Sequence, residues 1–437
     1  MQPPAKVAKR DLLLAAVAAF STYFCMYAFR KPFTAATFED QEVFGAALKS
    51  TLVISQLLGY MISKFIGIRV VSGLPRKYRA LAILCLIGIA ELALVGFAFL
   101  PQEPWIVFNV QIPLKVVMLF FNGLPLGMVF GLVLSYLEGR KQTEALSAAL
   151  CASFIISSGV VKSVGQGLIQ RWGVSEFSMP MVTGLIFILP LLVSVWLLQR
   201  TPPPSKEDIK LRTERKEMSF ADQWKFFTSY WPGLIMLLAV YIILTVIRTI
   251  RDDFGVELWA DLGVAEEPTV FAQSETIVAI IVTALNAVAI LFRNNLYAIR
   301  AVVILMCISF LMAMISSFLQ TSSLLSPLGF MILCGIGLYV PYVAFHTTIF
   351  ERIVSSSSLA GNLIFLMYLA DAFGYLGYSL SLAILNTWTT RTELLPTFLS
   401  TLTIGSGASI ACLICAVIYF QRKLSNEDPT RSNNSNP

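Results

Sequence analysis

The sequence predicts an all-α membrane protein with twelve transmembrane helices in two pseudo-symmetric six-helix bundles, and three observations support this. Hydrophobic residues are 57% of 437, about 250, enough for about a dozen spans of the roughly 20 residues that cross a bilayer. Charged residues are only 13% and the mean hydropathy is +0.74, which excludes a disordered chain, a nucleic-acid-binding protein and an ordinary soluble enzyme. The apolar runs also fall into two groups of six, separated by a basic, proline-bearing stretch near mid-chain.

In order, the runs cover 11–34, 46–67, 79–100, 114–137, 145–170, 179–199, 231–251, 270–292, 298–318, 326–349, 358–385 and 397–420. The first run follows Lys6, Lys9 and Arg10 as a signal peptide would. It is long, however, contains Tyr23 and Tyr27, and ends in Arg30 and Lys31 instead of a small-residue cleavage site, so it is expected to be retained. An even count puts both termini on one side. Loops on that side carry Arg76, Lys77, Arg79, Arg140, Arg200, Lys206, Arg422 and Lys423. The opposite loops carry Arg171, Arg251 and Arg391 among the acids Glu39, Asp40, Glu42, Asp252, Asp253, Glu257 and Asp261. The positive-inside rule then makes both termini cytoplasmic in a cell (inner) membrane. The cysteines, Cys412 and Cys415 included, fall inside apolar runs and read as packing residues.

Residues 200–230 form a cytoplasmic linker between an N-terminal bundle, 1–199, and a C-terminal bundle, 231–437, which ends in a short tail. The halves echo each other. Gly123 and Gly127 lead to Glu138 and Arg140, as Gly335 and Gly337 lead to Glu351 and Arg352. Six helices repeated twice imply alternating access about a mid-membrane site between the halves. Gly123, Gly127 and Gly131, each four apart, are suited to close helix packing.

Within the apolar runs lie Arg30, Lys31, Lys49, Lys64, Lys115, Lys162 and Arg248, against Glu91, Glu275 and Asp371. Each costs about 2.5–3.5 kcal/mol at mid-membrane, so each should face a wet cavity or a partner. Lys49 and Lys115 lie near helix ends and can snorkel, and Glu91 can pair with a neighbouring base. The excess remains positive, which favours an anion gripped by Arg30 and Arg248, one from each half. Arginine stays charged when desolvated and offers a planar fork to phosphate or carboxylate. Alternatively, the two arginines form ion pairs with Glu275 or Asp371 that lock helices. Tyr23, Tyr27 and Arg30 share one helical stripe, and Gln56, Tyr60 and Lys64 share another, each mixing aromatic hydroxyls with a cation.

Tyr23 to Phe33, with Tyr27, Arg30 and Lys31 inside it, resembles the first-helix motif of the organophosphate:phosphate antiporters. This branch of the major facilitator superfamily contains glycerol-3-phosphate and hexose-phosphate transporters. Ser63 to Ile66 after Tyr60 is similar to the second-helix motif, which implies that Tyr60 and Lys64 face substrate. Val246 to Arg248 resembles the seventh-helix arginine site, and Glu275 matches a glutamate of the eighth helix. Gly337 to Pro341 and Phe373 to Gly377 are similar to the tenth- and eleventh-helix motifs, implying that Tyr339 and Tyr375 line the cavity. Two features depart from the pattern. The fifth-helix histidine has no counterpart near Ser153 and Phe154, with Lys162 two turns on, and the loop from Gly67 to Arg79 lacks an acid.

The resulting expectation is a secondary transporter of a small organic anion, phosphorylated by resemblance, working by phosphate exchange or proton coupling. Arg30, Arg248, Lys64, Tyr23, Tyr27, Tyr60, Tyr339 and Tyr375 would bind substrate. Glu275, Asp371, Lys31, Lys162 and His346 would couple or compensate charge. Asp371 can be a proton acceptor, a partner of Lys162 or a counter-ion of Arg248; His346 can titrate near neutral pH or pack between helices. Two other readings stay open: a membrane sensor or assembly partner that keeps the transporter fold, and a carrier of a non-phosphorylated organic anion. No enzyme motif, metal site or cofactor is visible. The expected partners are the anion and the lipid bilayer, with no nucleic acid and a monomeric chain.

Overall fold

A computed structural model describes residues 5–107, 110–137, 143–202, 220–264, 267–287, 292, 294–357, 363–388 and 394–427. Most of the linker, Glu138, Arg140 and Arg391 lie outside the described residues. The helices are α1 (Ala5–Tyr27), α2 (Leu48–Gly73), α3 (Arg76–Phe99), α4 (Leu114–Leu126), α5 (Val129–Leu137), α6 (Thr143–Trp172), α7 (Met179–Gln199) and α8 (Phe220–Asp253). They continue as α9 (Gly255–Asp261), α10 (Thr269–Ala287), α11 (Asn295–Thr321), α12 (Pro327–Ala344), α13 (Phe350–Ser356), α14 (Leu363–Trp388) and α15 (Leu394–Glu427). Helical structure falls within each of the twelve expected runs, in order. Nine spans among the described residues are long and apolar enough to cross a bilayer, counting α4 with α5 and α12 with α13 as continuous segments. The chain is an integral multi-pass membrane protein.

Proline sets several local features. The expected first run reaches 34, but α1 stops at Tyr27 and the chain turns through residues 28–31. Pro32 opens a 3-10 turn, Pro32–Ala35; it has no N–H to donate to a continuing helix. Pro125 lies at the break between α4 and α5. Pro341 precedes a π-helical turn, Phe345–Ile349. Two small antiparallel hairpins, absent from the sequence reading, join spans: Glu42–Val43 with Ala46–Ala47, and Trp105–Val107 with Val110–Ile112. The first turns through Phe44 and Gly45, both at positive φ, the geometry that closes a two-residue hairpin.

Two compact units make up the chain. One comprises Met1–Leu211, Arg251–Ala279 and Ser379–Leu395; the other comprises Arg212–Ile250, Ile280–Tyr378 and Pro396–Pro437. Helix α8 passes from the second unit to the first between Ile250 and Arg251. In the first unit α2 and α4 pack backbone to backbone, because Gly123 lies against the Gln56 carbonyl and Gly127 leaves only 2.5 Å between a Cβ position and the Tyr60 carbonyl. In the second, Gly374 of α14 packs on Thr245 and Tyr241 of α8.

Candidate functional site

In the first unit, the turn after α1 is pinned by amides from two other helices. The Gln56 amide donates to the Arg30 carbonyl and to Asn122 Oδ1, both at 2.7 Å, and Asn122 donates to the carbonyls of Phe29 (2.9 Å) and Ala90 (3.0 Å). Backbone groups freed by the end of α1 are thus satisfied inside the bundle, as a low-dielectric interior requires. The buried Arg30 guanidinium lies 3.9 Å from the Tyr60 ring centroid and 5.8 Å from that of Tyr27. Lys64 reaches the Tyr60 ring at 5.2 Å. Tyr23 meets Tyr27 edge-on at 5.5 Å and Phe130 at 5.3 Å, a buried second layer behind the guanidinium. The two sequence stripes therefore meet, although Arg30 itself lies beyond the helix.

In the second unit, Arg248 lies 4.2 Å from the Tyr342 ring and 5.7 Å from that of Tyr339, and donates to Thr249 Oγ1 at 3.2 Å. Each unit thus holds one guanidinium over two tyrosine rings. Tyr342 also packs on the His346 ring at 4.6 Å. The Tyr241 hydroxyl donates to Asp371 Oδ1 and lies 3.0 Å from His346 Nε2; His346 Nε2 is 4.0 Å from the same carboxylate oxygen. Tyr375, one turn beyond Asp371 on α14, is buried. Sequence reading missed Tyr241 and Tyr342. Helical spacing could have found both, Tyr342 midway between Tyr339 and His346 and Tyr241 two turns before Arg248.

Most other buried charges join a separate network within the first unit. Asp252 bridges two lysines, with Lys31 Nζ at 2.6 Å from Oδ2 and Lys162 Nζ at 2.5 Å from Oδ1. Lys31 also pairs with Asp253, and Ser158 donates to Asp252. Lys49 meets Glu257 at 2.5 Å and the Thr34 carbonyl at 3.0 Å, and Arg251 meets Glu275 at 2.8 Å. Lys31, Lys49, Lys162 and Arg251 therefore balance Asp252, Asp253, Glu257 and Glu275. Two aspartates at the C-terminal end of α8 oppose its dipole, an unfavourable placement that the lysines offset. Burial pushes the Glu257 carboxyl above the usual carboxylate range, against the opposing pull of the Lys49 ammonium.

Several sequence expectations are corrected here. Arg251, Asp252, Asp253 and Glu257 are not solvated loop charges; the first three are buried and Glu257 is mostly so. Lys162 pairs with Asp252, and Glu275 with Arg251. Lys49 and Lys115 do not snorkel: both are buried, Lys115 donating to the Phe97 carbonyl at 2.7 Å and lying 4.0 Å from the Phe177 ring. Glu91 pairs with no base among the described residues. Both of its buried oxygens lack a hydrogen-bond partner among the described residues, and its carboxylate packs against Gly184. Much of the positive excess read from the sequence is thus offset within the first unit, while Arg30, Lys64 and Arg248 each lie beside tyrosine rings.

A family model, described as a family of unknown function (DUF5690), matches residues 32–423. The chain belongs to the DUF5690 family. Two solved structures share the fold of this DUF5690 protein. The D-xylose-proton symporter has a TM-score of 0.59 at 14% identity, covering 92% of this chain and 96% of that one. A mutant of the nucleoside transporter NupG has a TM-score of 0.58 at 14% identity, covering 93% and 99%. The architecture is the major facilitator fold. No curated protein matches the sequence. Among the described residues no group of three or more His, Cys, Asp or Glu side chains could hold a metal ion.

Proposed function

We propose that this DUF5690 protein is a secondary transporter of a small organic anion, phosphate-bearing in the first instance, working by alternating access with both termini in the cytoplasm. One observation carries the reading. Each unit holds a buried guanidinium over a tyrosine ring, Arg30 at 3.9 Å from the Tyr60 centroid and Arg248 at 4.2 Å from that of Tyr342. Such a group keeps its charge away from bulk water and keeps N–H donors in a fixed plane for a tetrahedral or planar oxyanion. Tyr27, Tyr60, Tyr339 and Tyr342 orient the guanidiniums. Lys64 adds charge, while Tyr23 and Tyr375 support the walls. The first- and second-helix resemblance to organophosphate:phosphate antiporters supports phosphate as the favoured charge.

A second reading, a non-phosphorylated organic anion, is favoured by one feature: Lys162, near the position of the antiporters' fifth-helix histidine, is engaged by Asp252. The solved neighbours are named for a sugar and for nucleosides, so neutral solutes belong among the controls. The test is exchange in proteoliposomes preloaded with labelled phosphate and challenged with sugar phosphates, glycerol phosphates, carboxylates, xylose and nucleosides. Release by the phosphorylated class is expected. Release by carboxylates alone would favour the second reading, and no release of the labelled phosphate by any anion of the panel would remove the anion assignment.

A further inference from the structure

The trio of buried Tyr241 and Asp371 with the largely buried His346 has no place in anion binding, yet its geometry has a definite chemistry. The three side chains come from α8, the π-helical turn after α12, and α14, all within the second unit. The tyrosine hydroxyl stands between the other two groups, donating to Asp371 Oδ1 and 3.0 Å from His346 Nε2. A tyrosine has one proton to give. While it is committed to the carboxylate, His346 must be the donor to the tyrosine oxygen, so Nε2 carries a proton. The π-helical turn sets His346 in register with Tyr241, and single π turns recur at functional sites.

We propose that this trio is a proton-carrying site, and that transport is therefore proton-coupled; the second clause rests on the transport reading above, the first does not. The chain of hydrogen bonds has two arrangements with the same number of protons. In one, His346 is an imidazolium and Asp371 a carboxylate. In the other, the Nε2 proton has passed to the tyrosine oxygen and the tyrosine proton to Asp371, leaving a neutral imidazole and a neutral acid. No oxidant, metal or cofactor is required. Loss of one proton to solvent leaves a carboxylate and a neutral imidazole with its Nε2 proton in place.

The trio connects to the anion through Tyr342, whose ring lies 4.2 Å from the Arg248 guanidinium and 4.6 Å from the His346 ring. Among the described residues, Tyr241 of α8, Tyr342 of α12 and Asp371 of α14 lie against His346, Tyr375 of α14 acts on the Tyr241 hydroxyl, and Arg248 of α8 lies across the Tyr342 ring. A protonated trio carries one more positive charge beside Arg248, so an anion there binds the protonated form more tightly, and by linkage promotes protonation. Proton and anion then move together, which favours symport over strict exchange.

His346 is the only histidine in the chain, so 15N-histidine labelling places one imidazole in the NMR spectrum of the intact protein in nanodiscs. The expected result is an imidazole protonated at Nε2 at high pH. Its titration midpoint should fall by about one pH unit or more in Asp371→Asn, because a nearby carboxylate favours the charged ring. Tyr241→Phe serves as a second variant, in which the Nε2 signal should lose its hydrogen-bond shift. Identical titration in both variants would overturn the proton site.

Coupling is read separately with labelled phosphate in proteoliposomes, at one external pH and with the lumen made alkaline. One proton per anion raises accumulation up to tenfold per pH unit, and His346→Gln should lose that response. Uptake with the same response in His346→Gln would overturn coupling while leaving transport standing. Absence of uptake for phosphate and for every anion in the panel would overturn the transport reading and the coupling with it, while the NMR result would still decide the proton site.

Discussion

The Arg30 guanidinium lies 3.9 Å above the centroid of the Tyr60 ring, and Lys64 approaches that ring at 5.2 Å. One aromatic ring thus serves two cations from different parts of the chain, one beyond the end of α1 and one a turn along α2. The ring's negative face offsets part of the repulsion between them, and its bulk keeps the guanidinium flat against it.

Replacing that ring should loosen the guanidinium without removing it. A cation–π contact contributes about 0.5–2 kcal/mol, so Tyr60→Leu should raise KM for the anion about 2- to 30-fold, with Tyr60→Phe closer to wild type. Uptake kinetics in proteoliposomes measure both. A wild-type KM in Tyr60→Leu would remove the ring from anion binding.

Tyr342 plays the corresponding part for Arg248, but it also touches His346. Tyr342→Leu should therefore change two properties together, weakening anion uptake and shifting its pH optimum, whereas Tyr339→Leu should affect uptake alone. The comparison is made from uptake rates between about pH 5.5 and 8, the range in which histidine commonly titrates.

The ion-pair network is a stability element. Asp252→Asn leaves Lys31 and Lys162 short of a shared carboxylate while both stay buried, and breaking one side of a buried pair costs about 3–5 kcal/mol. Thermal unfolding in detergent should show a large fall in melting temperature. In a double-mutant cycle with Lys162→Met, the second substitution should cost much less than it does alone.

Gly159 on α6 faces α10 with only 2.5 Å between a Cβ position and the Phe271 carbonyl, and 2.7 Å to Glu275 Cβ. A side chain there has to push α10 away. Gly159→Val should cost about 1–3 kcal/mol through overpacking and should strain the Arg251–Glu275 pair. Gly167→Ala on the same helix, with nothing within 4 Å of its Cβ position, should be nearly neutral in the same thermal assay.

The order of the spans was legible because apolar length responds to one dominant constraint, the thickness of the bilayer. Tyr23, Tyr27 and Arg30, and separately Gln56, Tyr60 and Lys64, were legible as two groups because each has helical spacing; that the two groups meet at the Tyr60 ring was not. The partners of the lysines were not. Asp252, Asp253 and Glu257 lie where apolar character ends, and hydropathy reads such residues as solvated loop; only the packing of that segment within the first unit reveals them as buried counter-ions. The charge sum taken from the sequence therefore counted Lys31, Lys49 and Lys162 as surplus cations when each has an acid at 2.6 Å or less. Pro32 gave a visible signal for the early end of α1, but the amides of Gln56 and Asn122 that hold the turn come from distant helices, and one sequence does not register such contacts.

The central claim is that the arginines of both units recognise the anion, and the most direct measurement is uptake by Arg30→Lys and Arg248→Lys beside wild type, at matched expression and with helicity checked by circular dichroism. Lysine keeps the charge but lacks the fork, and a charge-assisted hydrogen bond contributes about 1.5–3 kcal/mol. Each variant should therefore fall about 10- to 100-fold in kcat/KM. Near-wild-type uptake by either one, in a folded protein, would contradict the account.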